Sequence, residues 1–460
     1  MKKILKWFFI ILISAVYLLF VAKSIMKLPL NSDQAGMLLY SEDILSGNIL
    51  LSGWYLTGLT FITTDLPFFL LGTAVFGVSL KAYHLAVFLM YTCLLLSALP
   101  LVFFGVKDKK ISFLYLLAIG LFPTGYALSN TFVHTGVFIL MFLSAFVVYR
   151  FNEKPSVWKL ILLGLLTALS VAGDHMGLIL ITLPLLVLCI FKKFKKNISV
   201  FVSVVSGTIV GFLIEFSYLR FGGAVLNNLS RTSFTEAGLL KYNIQSYIEY
   251  FLKLTGGHFF EKEAFTLQTL LFAIKIIIAL VGIYVVFKSL KGLFTKKETD
   301  IPNCMLSVGF VSVSLLLWLG NFSIDITAGR YISYLPLFLA VLLSRADFKY
   351  SISSKALLCF VSVIVLAFSI RGTVNTEPYN RYSELAGYLE NENLTNGYGA
   401  FWDSHVLTGY SEGRIQVLPV KNTENGVAPR LWFSKAEPYY KQKNTFFVLR
   451  TSPEDEQEKI

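Results

Sequence analysis

Residues 84–110 read HLAVFLMYTCLLLSALPLVFFGVKDKK: His84 to Phe104 contains no Lys, Arg, Asp or Glu, and Lys107, Lys109 and Lys110 follow. A helix needs about 20 apolar residues to cross the hydrocarbon core of a bilayer. The stretch therefore reads as a membrane span that ends on a basic loop. The same pattern repeats along the chain. Further apolar runs lie near 7–22, 111–128, 131–149, 160–173, 177–191, 198–216, 265–287, 303–320, 330–344 and 356–370, giving about eleven spans.

Every second connection between these runs is basic. Besides the first, they carry Arg150, Lys154 and Lys159; Lys192, Lys193, Lys195 and Lys196; Lys288, Lys291, Lys296 and Lys297; and Arg345, Lys349 and Lys355. The turns near 129–131 and 174–176 carry neither Lys nor Arg. Cytoplasmic loops collect Lys and Arg, so the alternation puts the N-terminus inside and the C-terminus outside. The run Trp7–Ala22, after Lys2, Lys3 and Lys6, has no small-x-small cleavage site behind it and is expected to be an uncleaved first helix.

Composition agrees. Of 460 residues 55% are hydrophobic and 15% charged, against about 25% charged in soluble proteins. The net charge of +12 sits in short clusters between apolar runs, which argues against a nucleic-acid partner and for membrane lipid. Cys93, Cys189, Cys304 and Cys359 form no CxxC pair and read as small core residues. No P-loop, GxGxxG, HExxH or GxSxG is present, which argues against ATP-driven transport by this chain alone.

The expected fold is mainly α: a polytopic transmembrane helix bundle over 1–370 and a small extracytoplasmic α/β domain over 371–460. Within the bundle two outer loops are long, 23–83 and 217–264. The first contains an apolar piece, Leu66–Phe76, too short to span and expected in the interface. In the tail, 379–391 reads as a helix, and 398–402, 414–420 and 446–449 read as strands.

With this topology the polar candidates lie outside. Asp33 precedes a helix expected over 34–45; there either Ser32 or Asp33 is the helix cap, or Asp33 is a carboxylate held to take a proton. Asp174-His175 occupies an outer turn, and His134 and Asn130 stand at the outer start of a span. Arg330-Tyr331 opens another span, with Pro336 following. Glu42 and Asp43 are adjacent, so at most one is expected to face a site. Glu215, near the outer end of its span, is a candidate by default. In the second long loop Arg231, Lys241, Lys253 and His258 are possible phosphate or acceptor contacts.

The acid Asp33 with Ala35 two residues on, then Glu42-Asp43-Ile44-Leu45-Ser46-Gly47-Asn48, resembles the first-loop pattern of GT-C glycosyltransferases, which include protein O-mannosyltransferases and lipid A aminoarabinose transferases. Gly53-Trp54 and Thr63-Thr64-Asp65 extend that loop, and Arg330-Tyr331 with Pro336 resembles the family's "Arg-Tyr…Pro" segment. The resemblance implies transfer of a sugar from a polyprenyl-phosphate-type donor to a glycan or protein acceptor on the outer face. Asp33 would be the general base, with Arg330, Tyr331, Asp174, His175, His134 and Glu42 contacting substrate. A divalent metal is the open cofactor question, because Asp33-Gln34 stands where many members carry two adjacent acids. A transporter or flippase of a lipid-linked glycan is the alternative; it would place charges or broken helices near the midplane. An assembly-complex partner, with the tail as its binding module, is a third reading.

Overall fold

The computed structural model describes residues 2–121, 123–227, 233–256, 266–295, 300–321, 326–348, 351–372, 380–424, 426–441 and 446–449. Arg231, His258 and the last residues of the tail lie outside the described residues. The chain is mainly helical. In order the helices are α1 (Lys2–Ile25), α2 (Ser32–Leu45), α3 (Leu66–Phe76), α4 (Leu80–Phe103), α5 (Lys109–Tyr115) and α6 (Gly125–Ser129). Then come α7 (Thr135–Glu153), α8 (Val157–Gly173), α9 (Leu183–Ile190), α10 (Asn197–Gly222), α11 (Leu240–Thr255) and α12 (Leu267–Leu293). The remainder are α13 (Ile301–Leu319), α14 (Leu335–Arg345), α15 (Ile352–Gly372), α16 (Arg381–Asn391), α17 (Phe401–Tyr410) and α18 (Pro438–Lys441).

Five described helices, α4, α7, α10, α12 and α13, are long and apolar enough to cross a membrane. Among the other expected spans, 111–128 and 330–344 are interrupted. The run 111–128 becomes α5, a π-helical turn over Leu116–Gly120 and the short α6, with Pro123 between the last two. Proline lacks the amide a continuing helix needs and disfavours helix before it. The run 330–344 begins as a 3-10 turn, Ile326–Ile332, and α14 starts afresh with Pro336 in its first turn, where proline is tolerated. Of the cysteines, Cys189 and Cys304 are buried as expected, but Cys359 is exposed.

The chain forms two compact units. The first comprises Met1–Phe20, Met90–Phe212 and Arg231–Asn375. In it α7 packs on α8, α13 on α9 and α12, and α14 on the π-helical turn after α5. In it the Arg345 guanidinium reaches both carboxylate oxygens of Asp300 at 2.7 and 2.6 Å. Arg345 also donates to the carbonyls of Leu101 and Phe104 at the end of α4, at 2.9 and 2.8 Å, satisfying acceptors that a helix terminus leaves open.

The second unit comprises Val21–Leu89, Leu213–Ser230 and Thr376–Ile460. It holds seven strands among the described residues: β1 (Trp54–Leu56), β2 (Val225–Leu226), β3 (Asn396–Gly399), β4 (Gln416–Thr423), β5 (Gly426–Pro429), β6 (Ser434–Lys435) and β7 (Phe446–Val448). One sheet runs β5-β4-β3-β7, with β4, β3 and β7 parallel and β5 antiparallel. The helices α16 and α17 bring Ala386, Leu389 and Leu407 against Ile415 and Val417 to form its core. Trp402 belongs to α17 rather than to a strand, since Phe401 already starts that helix.

A second sheet, β2-β1-β6, joins the first long loop to the tail: Tyr55 pairs with Val225 in parallel and Trp54 with Lys435 antiparallel. Beside it α17 packs on α2. A side chain at Gly409 would collide with Leu30, and one at Gly36 would come within 2.6 Å of the Phe433 ring. Ser32 Oγ accepts the amide of Val406 at 3.3 Å, and Tyr410 Oη accepts that of Leu30 at 3.0 Å.

Candidate functional site

In the first unit a buried polar cluster stands at the start of α7. His134, just before that helix, has φ 62° and ψ −1°. A non-glycine residue in this left-handed region carries strain of about 1–3 kcal/mol, of a kind that gathers at functional sites. His134 is 3% exposed, and its Nδ1 lies 2.7 Å from Oδ2 of Asp174, which is 0% exposed. Asp174 sits at the C-cap of α8 in extended backbone, and its Oδ1 accepts the Met176 amide at 2.9 Å. The carboxyl thus fixes the orientation of the imidazole ring.

Tyr331 lies against His134, ring centroids 4.7 Å apart, and the Arg330 guanidinium carbon is 5.4 Å from the Tyr331 ring centre. Next to them Tyr334 hydrogen-bonds Thr135 and packs edge-on to Phe138. The first unit therefore brings together His134, Asp174, Tyr331 and Arg330. The His175 ring packs on Phe212 with centroids 5.7 Å apart. Asn130 donates to the Tyr126 carbonyl at 2.8 Å, and Lys253 pairs with Glu249 at 2.5 Å on the exposed side of α11.

Asp33 and Glu42 belong to the second unit, both on α2. The cap of that helix is Asn31, neither Ser32 nor Asp33. Asn31 Oδ1 accepts the Gln34 amide at 3.0 Å, while Gln34 Oε1 accepts the Asn31 amide at 2.9 Å. This reciprocal box closes the helix one residue earlier than Ser32 and satisfies two amides at once. Ser32 instead serves α17, and Asp33 stands half-buried in the first turn.

Further along α2 a cavity of about 340 Å³ opens within the second unit. Glu42 and Asp43 both line it, against the expectation for adjacent helical residues, because the hollow is wide enough to span the face bearing Leu39, Glu42, Asp43 and Ser46. Asp43 is tied on three sides: to Asn48 Nδ2 at 2.5 Å, Trp54 Nε1 at 2.7 Å and Lys435 Nζ at 2.7 Å. Burial pushes its carboxyl up, but these bonds and the Lys435 charge outweigh that and hold it below the usual carboxylate range. Glu42 moves the other way, raised by desolvation and then by the charge of Asp43.

The floor is polar and buried. His405 is 4% exposed and faces Ser434 Oγ at 3.3 Å. Burial pushes its imidazole down to about 4, against the opposing effect of the Trp432 and Phe433 backbone. Among the described residues no three His, Cys, Asp or Glu side chains are placed to hold a metal. His405 and Lys435 were not singled out from the sequence. Trp54 was named there as part of the first-loop resemblance.

No family profile matches the chain, and no curated protein does. Among solved structures it is similar to the Archaeoglobus fulgidus oligosaccharyltransferase tethered with an acceptor peptide containing the NVT sequon via a disulfide bond. The identity is 12%, the TM-score 0.47, and the likeness covers 88% of this chain and 63% of that one. The chain thus spans less than two thirds of the length of that protein.

Proposed function

We propose that the chain is an integral membrane glycosyltransferase of the GT-C kind. In this reading it has about eleven spans, a cytoplasmic N-terminus and an outer C-terminal domain over 371–460. It moves a sugar from a polyprenyl-phosphate-type donor to a glycan or protein acceptor at the outer face. The observation that carries the reading is the buried His134–Asp174 pair packed on Tyr331, next to Arg330. A buried ionisable pair in an apolar bundle is costly, and such pairs mark functional positions. Here the pair braces the Arg-Tyr segment that the sequence resemblance assigns to the donor.

Asp33 takes the proton of the acceptor hydroxyl as its oxygen attacks the anomeric carbon. The lipid phosphate leaves with the electrons of the old bond, and the anomeric centre inverts. Arg330 supplies the cation for the leaving phosphate, a task suited to the planar guanidinium. Capping by Asn31 supports the assignment of Asp33, because α2 does not use Asp33 as its cap.

Sugar transfer measured in membranes with protein levels matched tests this. Asp33→Asn is expected to lower transfer by about 10²–10⁴-fold, the usual contribution of a general base, with the lipid-linked donor accumulating. Transfer at wild-type rates would overturn the role of Asp33. A lipid-linked glycan that crosses the membrane unaltered would point instead to a flippase.

A further inference from the structure

Apart from the substrate contact that the resemblance gives Glu42, the cavity beside α2 has no role in the chemistry proposed above, and among its described residues the charges do not balance. Among the described residues three charged side chains line it, Glu42, Asp43 and Lys435. Lys435 is already committed, bonded to Asp43 at 2.7 Å with its ammonium 5.6 Å from the centre of the Trp54 ring. Among the described residues no cation or hydrogen-bond donor pairs with the Glu42 side chain, although that side chain borders the hollow. Among the described residues the lining therefore carries one more negative than positive charge. Its floor is made of neutral hydrogen-bonding groups, His405, Thr408 and Ser434, each at most 4% exposed. At about 340 Å³ it lies within the size range of small-molecule sites, about 300–1,000 Å³.

We infer that this cavity binds a primary ammonium carried on a small polar molecule, with Glu42 as its counter-charge and the His405–Ser434 floor receiving the neighbouring polar groups. A primary ammonium offers three donors and no acceptor, which matches a carboxylate that no other cation neutralises. An anion is disfavoured, since the single lysine is spent on Asp43. Two sources carry this chemistry: an amino sugar, or an amino acid with its free amine. The inference does not rest on the glycosyltransferase reading, because binding is measured without turnover.

The test is direct binding to the purified full-length protein in detergent at low salt, by calorimetry, with three probes: glucosamine, N-acetylglucosamine and lysine amide. Glucosamine is expected to bind where N-acetylglucosamine, with the same ring but no charge, does not. Lysine amide binding in preference to glucosamine assigns the amino-acid source and keeps the site. Glu42→Gln is expected to weaken binding about tenfold or more, the scale of a hydrogen bond to a charged group. Ser46→Trp, an exposed position on the same rim, is expected to abolish binding by filling the hollow while leaving Glu42 in place. The inference is overturned if charged and acetylated sugars bind alike, if none of the probes binds, or if Glu42→Gln and Ser46→Trp, both folded as judged by unchanged melting, bind as the wild type does.

Discussion

Acidification should strike the second unit through His405. The imidazole is almost fully buried and its pKa falls from the usual 6.5 to about 4. Above pH 6.5 the ring is neutral in folded and unfolded chains alike, and stability does not depend on it. Between 6.5 and about 4 the unfolded chain binds a proton that the folded chain refuses, so stability falls as the pH falls. The interval is about 2.5 pH units, which at 1.36 kcal/mol per unit amounts to about 3 kcal/mol. A cooperative unit of 150–250 residues loses about 2–4 °C of Tm per kcal/mol, hence about 6–12 °C in all. The assay is thermal unfolding of the full-length protein in detergent from pH 7.5 to 4, for wild type and His405→Gln. Other groups titrate in both proteins, so the slopes are compared and the absolute melting points are not. The wild-type Tm should fall more steeply than that of the variant below pH 6.5. Parallel curves would refute a neutral, buried His405.

Asp174→Ala leaves the buried His134 Nδ1 without its partner and should cost about 1–3 kcal/mol, the usual loss on leaving a buried polar group unsatisfied; an unchanged melting temperature would sink the pairing. Arg345→Lys keeps the charge but cannot serve Asp300, Leu101 and Phe104 together, so it should destabilise by at least about 2 kcal/mol in chemical denaturation. Recovery of wild-type stability in that lysine variant counts against the fork geometry. Gly36→Ala forces its new methyl against Phe433 and should cost about 1–3 kcal/mol. Adding Phe433→Ala should then cost less than it does in the wild-type background, and strictly additive losses would show that the contact is not made.

What the sequence revealed follows from the range over which each signal acts. Residues 66–76 show their helix in their own apolar run, and the structure returns the same bounds. The cap of α2 was placed one or two residues late, because Asn31, Ser32 and Asp33 are all good caps and only the partner Gln34 decides among them. The breaks at Pro123 and Pro336 were written in the chain but were overruled by hydropathy, which counts apolar residues and not amides. The strands β1, β2 and β6 have two or three residues each, too few to show alternation. Each exists only because a partner lies far off in sequence, as Trp54 pairs with Lys435. His134 and Asp174 were both visible as polar residues at outer turns, but their pairing across 40 positions was not. Asp43 and Lys435, 392 positions apart, were less visible still.

The same long-range pairing limits how the tail can be studied. Deleting residues from 376 onward looks like removal of an appended domain, and lost activity would be read as lost acceptor binding. In the second unit, however, the tail covers α2 directly. Its removal strips Val406 from Ser32, Lys435 from Asp43 and Phe433 from Gly36, and it uncovers Leu30 and Ala35 beside Gly409. Ala35 is fully buried, and exposing an apolar side chain of this kind is itself destabilising. Since α2 also bears Asp33, a truncated chain would lose the frame of its proposed base together with the tail. Point changes on the cavity rim, Glu42→Gln and Ser46→Trp, separate the two effects, because both positions are exposed and both variants keep the tail in place. If truncation abolishes sugar transfer while both rim variants leave it intact, the tail acts by holding α2. If the rim variants lower transfer in step with amine binding, the cavity itself serves the reaction.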